Sequence, residues 1–314
     1  MPNDIDNRRL RAGIVGGGEG SMIGAVHRIA SQLDNQALVV AGAMSSHPEK
    51  AKASAAAWFL ARSYDDFAKM AAEEARHPEG IDFVIVATPN HMHYPVAKVF
   101  LEAGIHVVSD KPMTFNLEQA RELSSLVERG KSVFALTHNY TGYPAVRQAR
   151  EMARNGSLGV IRKVIVEYLQ DWLSEPLEQA GQKQAGWRTN PAQAGISCCV
   201  ADIGTHGENL LEYITGLKIE SLCADLSSFV PGRRLDDDAK SHALAPGPSG
   251  GLPGSVRKPL QGNLRRHPSG RHGARAAGRL SHRRRWVARP PVRAQGRGKF
   301  DARRGVGGHA RHGR

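Results

Sequence analysis

An aspartate and a histidine lie four residues apart in the stretch DIGTHGENLLEYITG, whose apolar spacing predicts a helix. That spacing places Asp202 and His206 on one face of the helix. Histidine is suited to accept a proton because its unperturbed pKa is about 6.5, and a carboxylate beside it orients and charge-stabilises the imidazole. The pair is therefore a candidate proton-handling site, although two such residues taken alone are more often a surface pair.

A glycine-rich turn follows the first predicted strand of the chain. LRAGIV predicts a buried strand, GGGEGSMIG a turn and AVHRIASQL an amphipathic helix. Glycines in this position let the backbone approach a pyrophosphate, and the helix N-terminus presents free N–H groups to the charge. We assign Gly16 and Gly18 to the G-x-G pattern and Gly24 to the glycine before the helix, with Ser21 as the alternative third position. A turn with a purely structural role remains the competing interpretation.

The end of the second predicted strand bears on the choice of nucleotide. GAMSSHPEK lacks the acidic residue that often binds the ribose 2′-hydroxyl of NAD. Ser45 and Ser46 offer hydroxyl groups to a 2′-phosphate, which favours NADP slightly over NAD. Ser46 with Glu49 also makes a capping box that opens the next helix, and that role alone explains Ser46.

Strands and helices alternate as far as the segment SVFAL at residues 132–136. The strands lack polar alternation and each is followed by a helix. This order indicates a parallel sheet that helices cover on both faces.

Several short motifs follow one another along the first 238 residues. The glycine-rich turn leads to a helix with His27, and TPNHMH, DKP, THNYTGYP and DIGTH come after it. In this order they resemble the motifs of the Gfo/Idh/MocA oxidoreductases, the family of glucose–fructose oxidoreductase and inositol dehydrogenase. The likeness runs from about Arg9 to Asp238, and DKP stands where most members have Glu-Lys-Pro.

The resemblance implies an NAD(P)-dependent enzyme that transfers a hydride between nicotinamide and a hydroxyl of a sugar, inositol or related polyol. It implies that Lys111 reaches the nicotinamide ribose and the substrate hydroxyl, where a cation also stabilises a developing alkoxide. Asp202 and His206 would form the proton-handling pair. It implies no metal. Four further residues would lie along the cofactor: Thr88, Pro89, Asn90 and His93.

Two other groups of residues are weaker candidates for substrate contact. His138, Asn139 and Tyr140 follow a predicted strand, where ligand-facing residues gather, yet His138 is equally compatible with a hydrogen-bonded core histidine. Trp187 and Arg188 look like the family's Trp-Arg loop, and the alternative is a packed aromatic beside a solvated charge. The stretch GISCCVADIGTH departs from the glycines that many relatives carry there, which leaves the substrate open.

The family fold implies two domains before the tail. We expect a Rossmann-type doubly wound parallel sheet over residues 1–140 and a partial α/β domain with an open, mainly antiparallel sheet over residues 141–238. In the second, YPAVRQAREMARNG predicts a helix, and VIRKVIVEYLQDW and IESLCADLSSFVP predict strands. The sheet is not expected to resume after LDDDA, and its shortness argues against a family-like homo-oligomer.

The basic charge of the protein lies in its last 76 residues. Residues 1–238 carry 24 Lys and Arg against 29 Asp and Glu, whereas residues 239–314 carry 19 Lys and Arg against the single acid Asp301. This tail has too few apolar residues to offset a backbone ordering cost of about 1–2 kcal/mol per residue, which predicts disorder from Lys240 onward.

Besides metal binding by its six histidines, which their irregular spacing disfavours, the tail leaves two interpretations of the chain open. An out-of-frame translation of a GC-rich gene is favoured, which makes an inactive truncated enzyme one alternative. A natural basic arm that binds nucleic acid is the other, in a non-catalytic nucleotide-binding or polyanion-interacting protein.

The remaining composition argues for a cytoplasmic protein. The start MPNDIDNRRLRAG lacks the apolar stretch of a secretory peptide, and no apolar run approaches the roughly 18 residues of a membrane span. Cys198, Cys199 and Cys223 have neither CxxC spacing nor an even count, which predicts reduced thiols without zinc.

Overall fold

A six-stranded parallel sheet is the main element of the computed structural model, which describes residues 8–244. Its strands are β1 (Leu10–Gly16), β2 (Ala37–Ala43), β3 (Arg62–Ser63), β4 (Phe83–Ala87), β5 (His106–Ser109) and β6 (Phe134–Leu136). They lie in the order β3-β2-β1-β4-β5-β6, and every neighbouring pair is parallel. This is the strand order of a Rossmann fold, and it confirms the predicted doubly wound sheet.

Helices follow the strands as the alternation predicts. They are α1 (Met22–Gln32), α2 (Pro48–Ala57), α3 (Phe67–Glu74), α4 (His93–Glu102), α5 (Leu117–Arg129), α6 (Pro144–Arg154), α7 (Lys183–Arg188), α8 (Pro191–Ala194) and α9 (Thr205–Thr215). Ser21 caps α1 by accepting a hydrogen bond from the Gly24 N–H, and Asn116 caps α5 in the same way.

Both faces of the sheet are buried, because successive strand residues point to opposite sides and nearly all are apolar. Val84 and Val86 of β4 pack in one cluster with Met70 of α3 and Phe100 of α4. Ile85, between them in sequence, packs in the other cluster with Ile14 of β1 and Ile23 of α1. The strands therefore lack polar alternation because helices cover both faces of the sheet.

The predicted capping box of Ser46 and Glu49 is wrong. Helix α2 begins at Pro48, its N-cap is His47, and no side chain caps it. Proline favours the first helical position, so the helix starts one residue later than the capping-box pattern predicts. Ser45 makes the local turn instead, because its Oγ accepts a hydrogen bond of 3.1 Å from the His47 N–H.

The second half of the described chain is built on α6 and α9. The Arg150 guanidinium of α6 lies 4.3 Å from the ring centroid of Tyr213 in α9. A π-helical turn, Val200–Gly204, runs directly into α9. The helix ends at Thr215 and is followed by Gly216, whose φ of 71° is the left-handed conformation of a glycine C-cap.

Two strand predictions for this half have opposite outcomes. The strand in IESLCADLSSFVP is confirmed as β7 (Ser221–Ser227). The segment VIRKVIVEYLQDW has no regular secondary structure, and Leu169 in it is 94% exposed. A strand needs a partner, and within residues 8–244 β7 pairs with a strand that follows it instead.

The expected break after Asp238 is also wrong. Strand β8 (Asp238–Leu244) pairs antiparallel with β7 from Ser227 opposite Asp238 to Ser221 opposite Leu244. An exposed two-stranded ribbon is held by backbone hydrogen bonds, so it forms without the apolar residues that a buried strand requires. The disorder expected from Lys240 therefore does not apply to the part of the tail in β8, and residues 245–314 lie outside the described range.

None of the helices within residues 8–244 is long and apolar enough to cross a membrane.

Candidate active site

The glycine-rich loop after β1 packs tightly against its neighbours. Gly16 has a φ of 78°, and a Cβ on it would lie 2.5 Å from the Ala87 carbonyl oxygen at the end of β4. A Cβ on Gly18 would lie 2.7 Å from the Met44 carbonyl oxygen after β2. Both positions exclude side chains, so the loop crosses the carboxyl ends of β1, β2 and β4 with its backbone bare.

The third glycine of the pattern lies inside the helix rather than before it. Gly24 is in the first turn of α1, and a Cβ there would lie 2.2 Å from the Gly17 carbonyl oxygen. Ser21 occupies the position before the helix as its N-cap. The alternative assignment of Ser21 to the entry of the helix thus describes the loop better, and Gly24 serves close packing of helix against loop.

The segment from Thr88 to His93, between β4 and the start of α4, contains one unpartnered side chain and two that are hydrogen-bonded to the backbone. The Thr88 Oγ1 atom is buried without a hydrogen-bond partner, and its side chain lies against Gly16. Asn90, which follows Pro89, donates from Nδ2 to the Ala194 carbonyl at 2.9 Å. His93 is 1% exposed, with Nδ1 2.6 Å from the Pro112 carbonyl and Nε2 2.9 Å from the Thr88 carbonyl. Thr88 therefore has a free polar atom for a ligand, whereas Asn90 and His93 brace the surrounding backbone.

These features fit a dinucleotide. A bare glycine loop, the N-terminus of α1 and the unpartnered Thr88 hydroxyl all lie at the carboxyl ends of adjacent parallel strands, where such folds bind nucleotides. Ser45 and the exposed Ser46 follow β2 at the same edge, and no acidic residue accompanies them there.

Lys111 follows β5 and pairs with Asp202. Its Nζ donates a 2.8 Å hydrogen bond to Asp202 Oδ1, and the two side chains are 17% and 19% exposed. Arg188 Nε lies 3.6 Å from the same oxygen. Burial alone would raise the pKa of Asp202, but the Lys111 and Arg188 cations outweigh it and hold that pKa below its ordinary value. The carboxylate is therefore shared by two cations.

His206, unlike Asp202, is buried among aromatic rings and makes no hydrogen bond through Nδ1. Its Nδ1 is buried without a hydrogen-bond partner, and its ring centroid lies 4.3 Å from that of Tyr140 and 5.4 Å from that of His138. Burial, the Lys111 cation and the neighbouring His138 lower the pKa of His206 to about 4. The imidazole is thus neutral above that pH and has an unused nitrogen.

The expected orienting hydrogen bond from His206 to Asp202 is not formed. Asp202 lies in the π-helical turn, which alters the i,i+4 geometry of an α-helix, and its Oδ1 is bonded to Lys111. Asp202 acts on His206 through charge alone, which opposes the lowering of the His206 pKa.

The remaining candidates form the aromatic side of the site. Tyr140 stacks with Tyr168 and Tyr143, and its OH donates to the Tyr168 OH at 3.1 Å. Burial and that hydrogen bond raise the pKa of Tyr140 to about 12, so its phenol stays neutral. Burial and the Lys111 charge lower the pKa of His138. Asn139 is exposed at the start of a short 3₁₀ turn.

The Trp-Arg loop contributes a stacked cation. The Arg188 guanidinium lies 4.2 Å from the Trp187 ring centroid and 5.7 Å from that of Trp172. Trp187 Nε1 donates to Gln184 at 3.1 Å. Trp172 was not identified from the sequence, because it falls at the end of a segment with strand-like apolar content.

Asp110 is a second acidic group that the sequence analysis missed. Thr137 Oγ1 donates to Asp110 Oδ1 at 2.8 Å, and His27 Nε2 of α1 lies 3.4 Å from the same atom. Burial alone would raise the pKa of Asp110, but His27 and Thr137 hold it below its ordinary value. The available signal was its place directly before Lys111 in DKP.

No group of three or more potential metal-ligating side chains lies close enough together to hold a metal ion among residues 8–244. The cysteines in that range form no disulfide.

Comparisons with known proteins agree with this arrangement. A family model described as "Oxidoreductase family, NAD-binding Rossmann fold" matches residues 10–138, and a "GFO/IDH/MocA C-terminal domain" matches residues 146–251. The second match extends beyond Asp238, so the family likeness continues further than the sequence analysis expected.

Individual relatives cover most of this chain. The uncharacterized oxidoreductase YfiI of Bacillus subtilis is 34% identical over 75% of this chain and 61% of its own length. The levoglucosan dehydrogenase of Pseudarthrobacter phenanthrenivorans is 28% identical over 73% of this chain and 56% of its own. An inositol dehydrogenase homolog from Azotobacter vinelandii, solved with NAD+, is 36% identical with a TM-score of 0.72, covering 78% of this chain and 63% of that one.

The chain therefore spans about three fifths of the length of these relatives. Over that span it is 28% to 36% identical to them, and both family models match it. The chain belongs to the Gfo/Idh/MocA family of oxidoreductases.

Proposed function

We propose that the protein is an NAD(P)-dependent oxidoreductase that transfers a hydride between nicotinamide and a hydroxyl of a sugar, inositol or related polyol. The observation that carries this proposal is the meeting of Lys111, Asp202 and His206 beside the nucleotide-binding edge of the sheet. A cation, an anion that holds it and a neutral base are the groups that alcohol oxidation requires.

Each group has a separate role in the oxidative direction. His206 accepts the hydroxyl proton on its imidazole, which is neutral because its pKa is about 4. The Lys111 ammonium stabilises the developing alkoxide, and Asp202 holds that ammonium in place. When bound, nicotinamide supplies the hydride acceptor. The carboxylate thus supports the lysine directly and the histidine only through its charge.

The residues around this centre fit a substrate with several hydroxyl groups. His138 offers a buried, unpartnered Nδ1, and Arg188 offers a buried Nε with no hydrogen bond. Tyr140 provides an aromatic face beside the base. The proposal is supported by relatives, since one solved structure of the Azotobacter protein contains NADH and myo-inositol and another relative is a levoglucosan dehydrogenase.

NAD is the proposed cofactor. The family model describes an NAD-binding fold, and two of the solved relatives, the Azotobacter protein and levoglucosan dehydrogenase, contain NAD+ or NADH. The slight preference for NADP rested on Ser45 and Ser46, and the Ser45 hydroxyl is already engaged by the His47 N–H. An accepting hydroxyl can still donate its O–H, so both serines can contact a 2′-phosphate, and the choice of NAD rests on the family model and the solved relatives.

We also propose a domain boundary near residue 140. The family matches end at residue 138 and begin again at residue 146, which supports a nucleotide-binding domain of residues 1–140. The second domain then extends at least to the end of β8, beyond the boundary expected at Asp238.

Titration of the purified full chain with NAD and NADP, followed by a polyol screen with the bound nucleotide, tests the function. We expect tighter binding of NAD and reduction of it by at least one sugar or cyclitol. Salt-sensitive binding of nucleic acid without nucleotide binding or turnover contradicts the proposal and supports the polyanion-interacting alternative.

A further inference from the structure

Arg233, Leu235 and Asp236 are buried against the two segments that support Asp202 and Arg188. Asp236 is 7% exposed and Arg233 is 9% exposed, although both are charged. Charged groups are seldom buried unless they are paired, so their contacts indicate what they hold together.

The Asp236 carboxylate binds the turn in front of the π-helical segment. It accepts hydrogen bonds from Ser197 Oγ at 2.9 Å, from the Cys198 N–H at 3.0 Å and from the Cys199 N–H at 3.0 Å. Backbone N–H groups at the start of a helix lack partners within it, and a carboxylate there is also favoured by the helix dipole. Asp236 therefore caps the helical segment from a distant part of the chain.

Two hydrogen bonds continue this capping into the turn that carries Asp202. The Ser197 Oγ that donates to Asp236 also accepts from the Val200 N–H at 2.9 Å. The Cys198 carbonyl accepts from the Asp202 N–H at 3.0 Å. Cys198 thus connects the two residues, because its N–H donates to the Asp236 carboxylate and its carbonyl accepts from the Asp202 N–H.

Arg233 connects the loop before β8 to residues 173–178. Its side chain is fully buried and donates to the Glu178 carboxylate, to the Leu173 carbonyl at 2.7 Å and to the Glu175 carbonyl at 3.0 Å. Leu173 directly follows Trp172, which lies against Arg188. Leu235 completes the attachment by packing with Cys198.

We infer that Asp236 is a positioning residue for the reaction: it fixes the turn Val200–Gly204 so that the Asp202 carboxylate meets Lys111. This inference rests on the proposed function for its catalytic meaning, but the contacts that carry it do not depend on turnover. It places a residue needed for the site two positions before the start of β8.

The variants Asp236→Asn and Asp237→Asn test it as a matched pair. Asp237 also accepts three hydrogen bonds, from the Phe229 N–H, the Val230 N–H and Arg233, and all three lie within its own hairpin turn. Both variants lose one buried carboxylate, so both are expected to lower the thermal unfolding midpoint. Only Asp236→Asn removes the cap of the segment that carries Asp202.

The distinguishing measurement is the titration of His206 by NMR of labelled imidazole in the full chain. Loosening the turn admits water to His206 and weakens the hold on Lys111, so Asp236→Asn should raise the His206 pKa from about 4 by about one unit or more. Asp237→Asn should leave it unchanged. With a verified substrate, kcat should fall about tenfold or more in Asp236→Asn alone, with NADH affinity retained.

Two further variants keep the test decisive. Ser197→Ala removes one hydrogen bond to Asp236 and the acceptor for the Val200 N–H. It should raise the His206 pKa by less than Asp236→Asn does, and it replaces that variant if Asp236→Asn does not fold. Asp236→Glu keeps a carboxylate at this position, so its His206 pKa should lie between those of the wild type and Asp236→Asn. Equal His206 titrations in wild type, Ser197→Ala and every folded Asp236 variant overturn the inference. A selective shift without any polyol turnover in wild type supports the inference and contradicts the proposed function.

Discussion

Lys111 and Asp202 are 91 residues apart in sequence and are joined by a 2.8 Å hydrogen bond between Nζ and Oδ1. The contact links the loop after β5 to the π-helical turn before α9. Since Arg188 lies 3.6 Å from the same oxygen, one carboxylate balances two cations. The site is therefore assembled by charge between distant segments, and its parts can be removed one at a time.

Replacing Lys111 with Met should reduce kcat/KM by about 10²–10³, because the developing alkoxide loses its cation. NADH affinity should change much less, since only the expected contact of Lys111 with the nicotinamide ribose is lost and the glycine loop that we propose holds the pyrophosphate is untouched. Steady-state kinetics and a fluorescence titration measure the two effects. Lys98→Met is the control, because Lys98 pairs with Glu122 on the surface away from the site. Full activity in Lys111→Met refutes the assignment.

The acid limb of the pH profile should report His206. The base must be neutral to accept a proton, and burial and Lys111 lower its pKa to about 4. We therefore expect kcat/KM for alcohol oxidation to fall below a pH of about 4, rather than near the unperturbed value of about 6.5. Removing the cation in Lys111→Met should raise the His206 pKa, which NMR titration measures directly. A His206 pKa that is unmoved by this change contradicts the proximity of the two groups.

The lowered pKa of His206 should also make the free energy of unfolding depend on pH. His206 takes up a proton at a pH of about 6.5 when unfolded and at about 4 when folded, so the unfolded state binds more protons between these values. Its contribution is present above pH 6.5 and is lost as the pH falls toward 4. The unfolding midpoint of His206→Asn should decline less over this window than that of the wild type. His47→Asn, at an exposed residue, should decline as the wild type does.

The sheet was predictable because its signal is local. Each strand is an apolar run such as residues 83–87, and each helix shows its own spacing, so neighbouring residues suffice to recognise the alternation. The ordered motifs also identified the three residues that meet at the centre. Their catalytic roles remain predictions.

The mistaken parts depend on contacts that local sequence does not contain. An i,i+4 spacing predicted that Asp202 would orient His206, but a π-helical turn and a lysine 91 residues away determine where that carboxylate points. The same holds for Asp236, which binds residues 38 positions earlier in the chain. The sheet was expected not to resume after LDDDA, which contains Asp236, whereas the three hydrogen bonds of Asp236 tie it to the segment that carries Asp202.

Gly24→Ala should abolish tight nucleotide binding. The added Cβ would lie 2.2 Å from the Gly17 carbonyl oxygen and 2.5 Å from the Gly17 Cα, and neither backbone atom can move without displacing the loop. Overpacking of this kind costs about 1–3 kcal/mol in stability. Gly186→Ala is the matched control, because a Cβ on that helical glycine meets nothing within 4 Å and should be neutral or stabilising by up to about 1 kcal/mol. Isothermal titration with NADH compares the two variants. If Gly24→Ala folds and retains wild-type affinity, the nucleotide does not depend on the packing of this loop against α1, and its phosphates must be held elsewhere.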